Sequence, residues 1–178
     1  AIIYKLKKMK TFFSKFEWLL WLITLSPTLS VIWLWSAIPA KIPTHFNLLG
    51  EADIWGDKTI LLWIIPAMTL FMYLLLLFIP LIDPKKRLEN MGQKYFSLRL
   101  ILLSLIALIC LVWVYTSAHP TIGFSAGLFP ILAVFLIILG NYLQTIKPNY
   151  FIGIRTPWSL QDENNWALTH RLGSRVYM

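Results

Sequence analysis

The chain reads as an all-α, polytopic membrane protein with four transmembrane helices and both ends in the cytoplasm. Three observations lead there. First, 58% of its 178 residues are hydrophobic and only 13% are charged, with a mean hydropathy of +0.67. A soluble domain of that length has too little core to hide so much apolar surface, so the bilayer is the expected solvent. Second, four runs are long enough to cross about 30 Å of hydrocarbon as helices: Trp18 to Ile38, Ile60 to Ile82, Leu100 to Thr116 and Ile122 to Leu143. None alternates apolar with polar residues as barrel strands do, which leaves the helical bundle as the way to satisfy the backbone in lipid. Third, the cations divide unequally between alternate connections. Lys5, Lys7, Lys8, Lys10 and Lys15 precede the first run, Lys85, Lys86, Arg87, Lys94 and Arg99 follow the second, and Lys147, Arg155, Arg171 and Arg175 follow the fourth. Only Lys41 and Lys58 remain for the other side, so of 16 cations 14 are assigned to the cytoplasm. The same distribution explains the net charge of +8 without nucleic acid, and no direct nucleic-acid binding is expected.

The elements follow in order. Residues 1–17 form a basic start, which serves as a topology anchor and is amphipathic enough to lie on anionic lipid. The first helix pair occupies 18–82 and encloses an extracytoplasmic loop at 39–59. The opening run has a basic flank, but it is too long and too poorly followed by small residues for a cleaved signal peptide. Trp33 and Trp35 fit an aromatic belt at the outer interface. A basic cytoplasmic loop at 83–99 leads to the second pair, 100–143, whose tight link around His119 and Pro120 makes it a helical hairpin. Arg99 lies just outside the third run, so no run carries Asp, Glu, Lys, Arg or His. Pro27, Pro66 and Pro130 fall within runs and are expected to kink them for packing. The single Cys110 lies mid-membrane, which excludes an intramolecular disulfide and a cysteine metal cluster.

Two polar stretches interrupt the apolar sequence. The outer loop offers Pro43, His45, Asn47, Gly50, Asp53 and Lys58 together with Glu51 and Asp57. Its proline, asparagine and glycine favour turns, and a shaped, hydrogen-bonded loop over the helix ends is expected. It has ligand-type side chains, but a lone histidine without a paired-histidine spacing argues against a metal, and neither a metal nor a cofactor is expected.

The cytoplasmic tail, 144–178, holds the second set: Asn149, Gly153, Arg155, Thr156, Pro157, Trp158, Glu163, Trp166, His170 and Arg171, preceded by Asn141 at the end of the fourth run. Pro148, Gly153 and Pro157 imply an ordered turn or extended segment up to Trp158. Ser159-Leu-Gln-Asp162 resembles a capping box, so a helix is expected to open there and to stop at Gly173. Glu163, Trp166 and His170 then lie along one face. Arg155 and Trp158 beside the free N–H groups form a docking surface suited to an anionic group on a lipid or a partner. The alternative reading of the same residues is a self-paired, interface-anchored loop.

At these residues the chain resembles the SdpI family of bacterial plasma-membrane proteins, named for immunity to a sporulation-delaying peptide toxin. The resemblance rests on Gly140-Asn141, Lys147-Pro148-Asn149, Gly153-Ile154-Arg155-Thr156-Pro157-Trp158, Trp166, Thr169-His170-Arg171 and Gly173. The outer segment Ile42-Pro43-Thr44-His45-Phe46-Asn47, with Gly50, Asp53 and Lys58, is similar to an N-terminal module that accompanies that family. The resemblance implies a non-enzymatic immunity or signalling protein whose partners, beside the bilayer, are a secreted peptide toxin and an ArsR-like transcriptional repressor sequestered at the membrane. It also implies further helices after the His-Arg-x-Gly stretch, where this sequence ends at Met178. Two other functions are weighed against it. A membrane metal-dependent hydrolase would use His45, Glu163 and His170, which the charge rule puts on opposite sides. A small transporter would need ionisable groups within its spans.

Overall fold

The computed structural model describes residues 16–47, 50–82, 88, 91–149 and 152–177. The lysines of the basic start, together with Lys85, Lys86 and Arg87, lie outside the described residues. Four long apolar helices dominate: α1 (Glu17–Leu34), α2 (Ile60–Ile82), α3 (Gln93–Ala118) and α4 (Phe124–Leu143). A shorter amphipathic helix, α5 (Glu163–Tyr177), follows. Between 17% and 33% of the most apolar stretch of each long helix is buried within the protein, so most of their leucines and aromatics point outward. Side chains such as Trp33 and Trp63, at 85% and 77% exposure, are tolerable only where the surroundings are lipid.

The outer loop is not a loop alone. Strands β1 (Lys41–Phe46) and β2 (Ala52–Asp57) pair antiparallel, with Lys41 opposite Asp57 and Phe46 opposite Ala52. The expectation of a shaped, hydrogen-bonded loop did not extend to a strand pair, because the short apolar and polar alternation is broken by register shifts on either side of His45. Asn47 makes the turn: its side-chain oxygen accepts from Glu51 N–H at 2.9 Å and its amide donates to the Glu51 carboxylate at 3.1 Å. Gly50 takes a positive φ of 79° that an L side chain resists.

The chain divides into two compact units. One comprises Trp18–Leu74 and Leu102–Leu132, and the other Ala1–Glu17, Leu75–Ile101 and Ala133–Met178. The first has a core of Val31, Ile38, Ile42, Leu61, Ile65, Cys110 and Val114. Ile42 carries the hairpin into this core. Trp113 Nε1 donates to the Pro43 carbonyl at 3.0 Å, and the ammonium of Lys58 donates to the carbonyls of Trp35 and Ile38, each at 3.0 Å. Lys58 also sits 4.5 Å from the centre of the Trp35 ring. The two Lys58 bonds satisfy carbonyls in the turn that follows α1.

The second unit contains a correction. Residues from Gln93 to Arg99 are not loop: α3 begins at Gln93 and includes Arg99, and α1 includes Glu17. The Arg99 guanidinium grips the Glu17 carboxylate with two bonds of 2.5 and 3.0 Å, both side chains being buried. A bidentate pair of this kind lets two charges enter an apolar helix bundle together. Both helices thus start before the apolar runs they contain, and those first residues carry the pair. Tyr95 and Tyr142 tie further segments of this unit, donating at 2.5 Å to the carbonyls of Leu76 and Lys94.

Candidate functional site

The C-terminal segment folds around four buried polar side chains. Asn149 is 1% exposed and closes the first turn: its amide donates to the carbonyls of Lys147 and Ile152, and its oxygen accepts from Ile152 N–H at 2.7 Å. The next turn places Gly153 at φ 111°, against the ring of His170. A Cβ there would lie 2.3 Å from His170 Nε2, so both the backbone angle and the space require glycine.

His170 is the hub. Its Nε2 accepts the N–H of Ile154 at 3.0 Å and its Nδ1 lies 2.9 Å from the Trp166 carbonyl. The two contacts define a neutral ring with the proton on Nδ1, since protonated Nε2 would confront a backbone donor. Burial holds the His170 pKa below the ordinary histidine value, against a smaller opposing pull from the Trp166 carbonyl. Trp166 stacks on this ring at 4.1 Å and donates its indole N–H to the Ile146 carbonyl at 2.8 Å. Ser159 is equally enclosed: its hydroxyl lies 2.8 Å from the Ile154 carbonyl and 3.0 Å from that of Thr156, while it accepts from Thr156 N–H at 2.9 Å.

These contacts revise the expected helix. Ser159 is not its cap, because its hydroxyl is engaged in the preceding turns. The cap is Asp162, whose carboxylate accepts from Asn165 N–H at 2.7 Å. Gly173 does not end α5, which continues to Tyr177. Instead it allows close approach, since a Cβ would lie 2.3 Å from Ile154 Cδ1. The buried face is Trp166, His170 and Ser174, with Ser174 accepting from Gln144 at 2.6 Å. Glu163 stands off that face and is exposed. Arg155, Pro157, Trp158 and Arg171 are exposed too, as is Asn141, while Thr156 is half-buried. The expected shared face of Glu163, Trp166 and His170 is therefore corrected: Glu163 is exposed, and the other two belong to the interior.

On the hairpin, His45 Nδ1 approaches Asp53 at 2.6 Å, an exposed cross-strand pair. Asp57 accepts from Thr59 N–H at 2.9 Å ahead of α2, and that bond holds its carboxyl below the usual range. His45 thus lies in the first unit, and Glu163 and His170 in the second. Among the described residues no group of three or more His, Cys, Asp or Glu is placed to hold a metal.

Comparison with known proteins gives two family matches: residues 22–70 match a domain of unknown function (DUF1648), and residues 145–178 match the SdpI/YfhL protein family. The chain is also 32% identical over 157 residues to the Immunity protein SdpI of Bacillus subtilis (strain 168), covering 87% of this chain and 72% of that protein. This chain belongs to the SdpI/YfhL protein family. As a family member with four membrane-crossing helices, it is a multi-pass plasma-membrane protein. No solved structure matches it. The SdpI/YfhL match encloses Asn149, Gly153, Ser159, Trp166 and His170. Ser159 and Gln144 were missed as organising residues in the sequence because a serine before an acidic residue reads as a cap and a glutamine after a span reads as solvated. Glu17 carried a signal: one of only eight acidic residues stands at the mouth of the first run.

Proposed function

We propose that this chain is a membrane immunity protein that protects its cell from a membrane-active peptide, without enzymatic chemistry. The observation that carries the proposal is its 32% identity to an immunity protein along 72% of that protein's length. In this reading both ends are cytoplasmic, the hairpin faces outward, and the C-terminal segment is a rigid cytoplasmic platform. Asn149, Gly153, Ser159, Trp166 and His170 build the platform. Arg155, Pro157, Trp158 and Arg171 are the exposed groups that contact a partner, for which an ArsR-like repressor is the proposed class. Two exposed arginines and an exposed tryptophan in this segment support that assignment, because Arg and Trp are enriched among the residues that carry protein contacts.

The experiment is peptide challenge of a sensitive host that expresses the chain. Wild type is expected to raise the tolerated concentration of at least one membrane-active peptide, and His170→Ala to lose most of that gain by loosening the platform. Arg155→Ala with Trp158→Ala is expected to keep protection while losing capture of the repressor at the membrane. A wild-type chain that protects against none of the peptides removes the immunity reading.

A further inference from the structure

Helix α5 is arranged inside out by the standard of a helix bathed in water. A water-facing helix buries its aliphatic side chains and presents polar ones. Here the inward face is Trp166, His170 and Ser174, each held by hydrogen bonds within the C-terminal segment. The aliphatic residues point away: Leu168, Leu172 and Val176 are 61%, 66% and 75% exposed. Spaced four apart, they form one ladder along the outward side of the helix. Scattered exposed leucines need no explanation, but a contiguous ladder opposite a hydrogen-bonded interior marks a contact with something apolar.

The position of α5 decides what that neighbour is. Ser174 accepts at 2.6 Å from Gln144, the residue that follows the end of α4. A Cβ on Gly173 would meet the Leu143 side chain at 3.9 Å. The last turns of α5 are thus held at the end of a membrane span, whose Val134, Ile137 and Ile138 also point outward. Cations gather at the same end. Lys94 donates to the Thr145 carbonyl at 3.1 Å, Lys147 is exposed just beyond it, and Arg175 stands at the edge of the ladder, three residues after Leu172. An aliphatic ladder edged by a cation, where a span leaves the hydrocarbon, matches the headgroup layer. Leucines reach the acyl boundary there while a guanidinium reaches phosphate. A water-soluble partner would have to enter that layer to cover the ladder.

We propose that α5 lies against the bilayer, with Leu168, Leu172 and Val176 in the acyl boundary and Arg175 on the phosphate of an anionic phospholipid. The hydrogen-bonded face of the helix then meets the protein and its aliphatic face meets lipid, the same division that the four long helices show. The proposal goes beyond the immunity reading and stands without it.

The test attaches a nitroxide to single cysteines in the full chain carrying Cys110→Ala. Leu168→Cys, Leu172→Cys and Val176→Cys lie on the ladder, and Gln161→Cys and Glu163→Cys lie off it. In nanodiscs containing phosphatidylglycerol, collisions with oxygen and with a water-soluble nickel complex are read by electron paramagnetic resonance. The oxygen-to-nickel ratio on the ladder is expected to be at least fivefold that at the two other sites. Without phosphatidylglycerol, or with Arg175→Gln, nickel access to the label at Leu172→Cys is expected to rise at least twofold. Three ladder sites keep the readout if one substitution loosens the helix. A ladder as open to nickel as the other sites overturns the proposal and leaves the face to a soluble partner. Exclusion of both oxygen and nickel overturns it in favour of a second copy or another protein surface. Nickel access that ignores both phosphatidylglycerol and Arg175→Gln overturns the assignment to anionic lipid.

Discussion

At the scale of single residues, the C-terminal segment depends on side chains whose chemistry is used inward. His170 shows this best, because both ring nitrogens have backbone partners and only the neutral ring fits both. Its pKa is lower in the fold than in the unfolded chain. The unfolded chain therefore takes up the proton first as pH falls. The contribution of His170 is complete above its ordinary value of 6.5 and is lost as pH drops from there through the folded pKa. Limited proteolysis of the segment in nanodiscs is expected to accelerate between pH 7.5 and 5 in wild type. His170→Gln should be cut at a rate that changes little with pH. A wild-type rate that stays flat over the same range counts against the neutral-ring lock. Gly153 and Gly173 belong to the same scale: one glycine is read correctly as a turn, the other wrongly as a helix stop. The difference is what stands opposite each, the His170 ring in one case and Ile154 in the other.

At the scale of elements, the helix starts and ends were the least legible features. The runs of apolar residues mark where lipid must be met, but helices extend beyond lipid wherever polar residues find partners. Arg99 is the clear instance, since a guanidinium beside an apolar run looks like a boundary until a carboxylate is placed within reach. Removing Arg99 takes both of its bonds from the buried Glu17 carboxylate. Arg99→Ala is expected to cost roughly 3–5 kcal/mol of stability, with the exchanged pair Glu17→Arg and Arg99→Glu recovering part of it. Thermal unfolding in detergent or nanodiscs measures both, and an Arg99→Ala protein as stable as wild type would show the pair to be dispensable. The hairpin was hidden for a related reason. Two six-residue strands with a bulge at His45 carry little periodic signal, and their pairing is fixed by Asn47, Lys58 and Trp113 from outside the pattern.

At the scale of the whole molecule, the distribution of cations leads us to propose cytoplasmic ends and an outward hairpin. Alkaline phosphatase inserted at Gly50 should be active and the same reporter fused after Arg175 inactive, with a fluorescent cytoplasmic reporter giving the opposite pattern. Activity of the phosphatase at Arg175 would reverse the topology and move the hairpin to the cytoplasmic side.

Composition and apolar run length by themselves determined the membrane class, the four helices and the helical nature of the bundle, because hydrocarbon imposes one solvent rule on every residue of a span. The order of polar residues from Gly140 to Gly173 was sufficient to point to the family. What only the tertiary structure decided is which polar groups face inward. Trp166, His170 and Ser159 close a fold while Arg155 and Trp158 remain outside, and Glu17 and Arg99 meet. Hydrogen-bond partners distant in sequence leave no periodic trace, so their pairing emerges only when the chain brings them within about 3 Å.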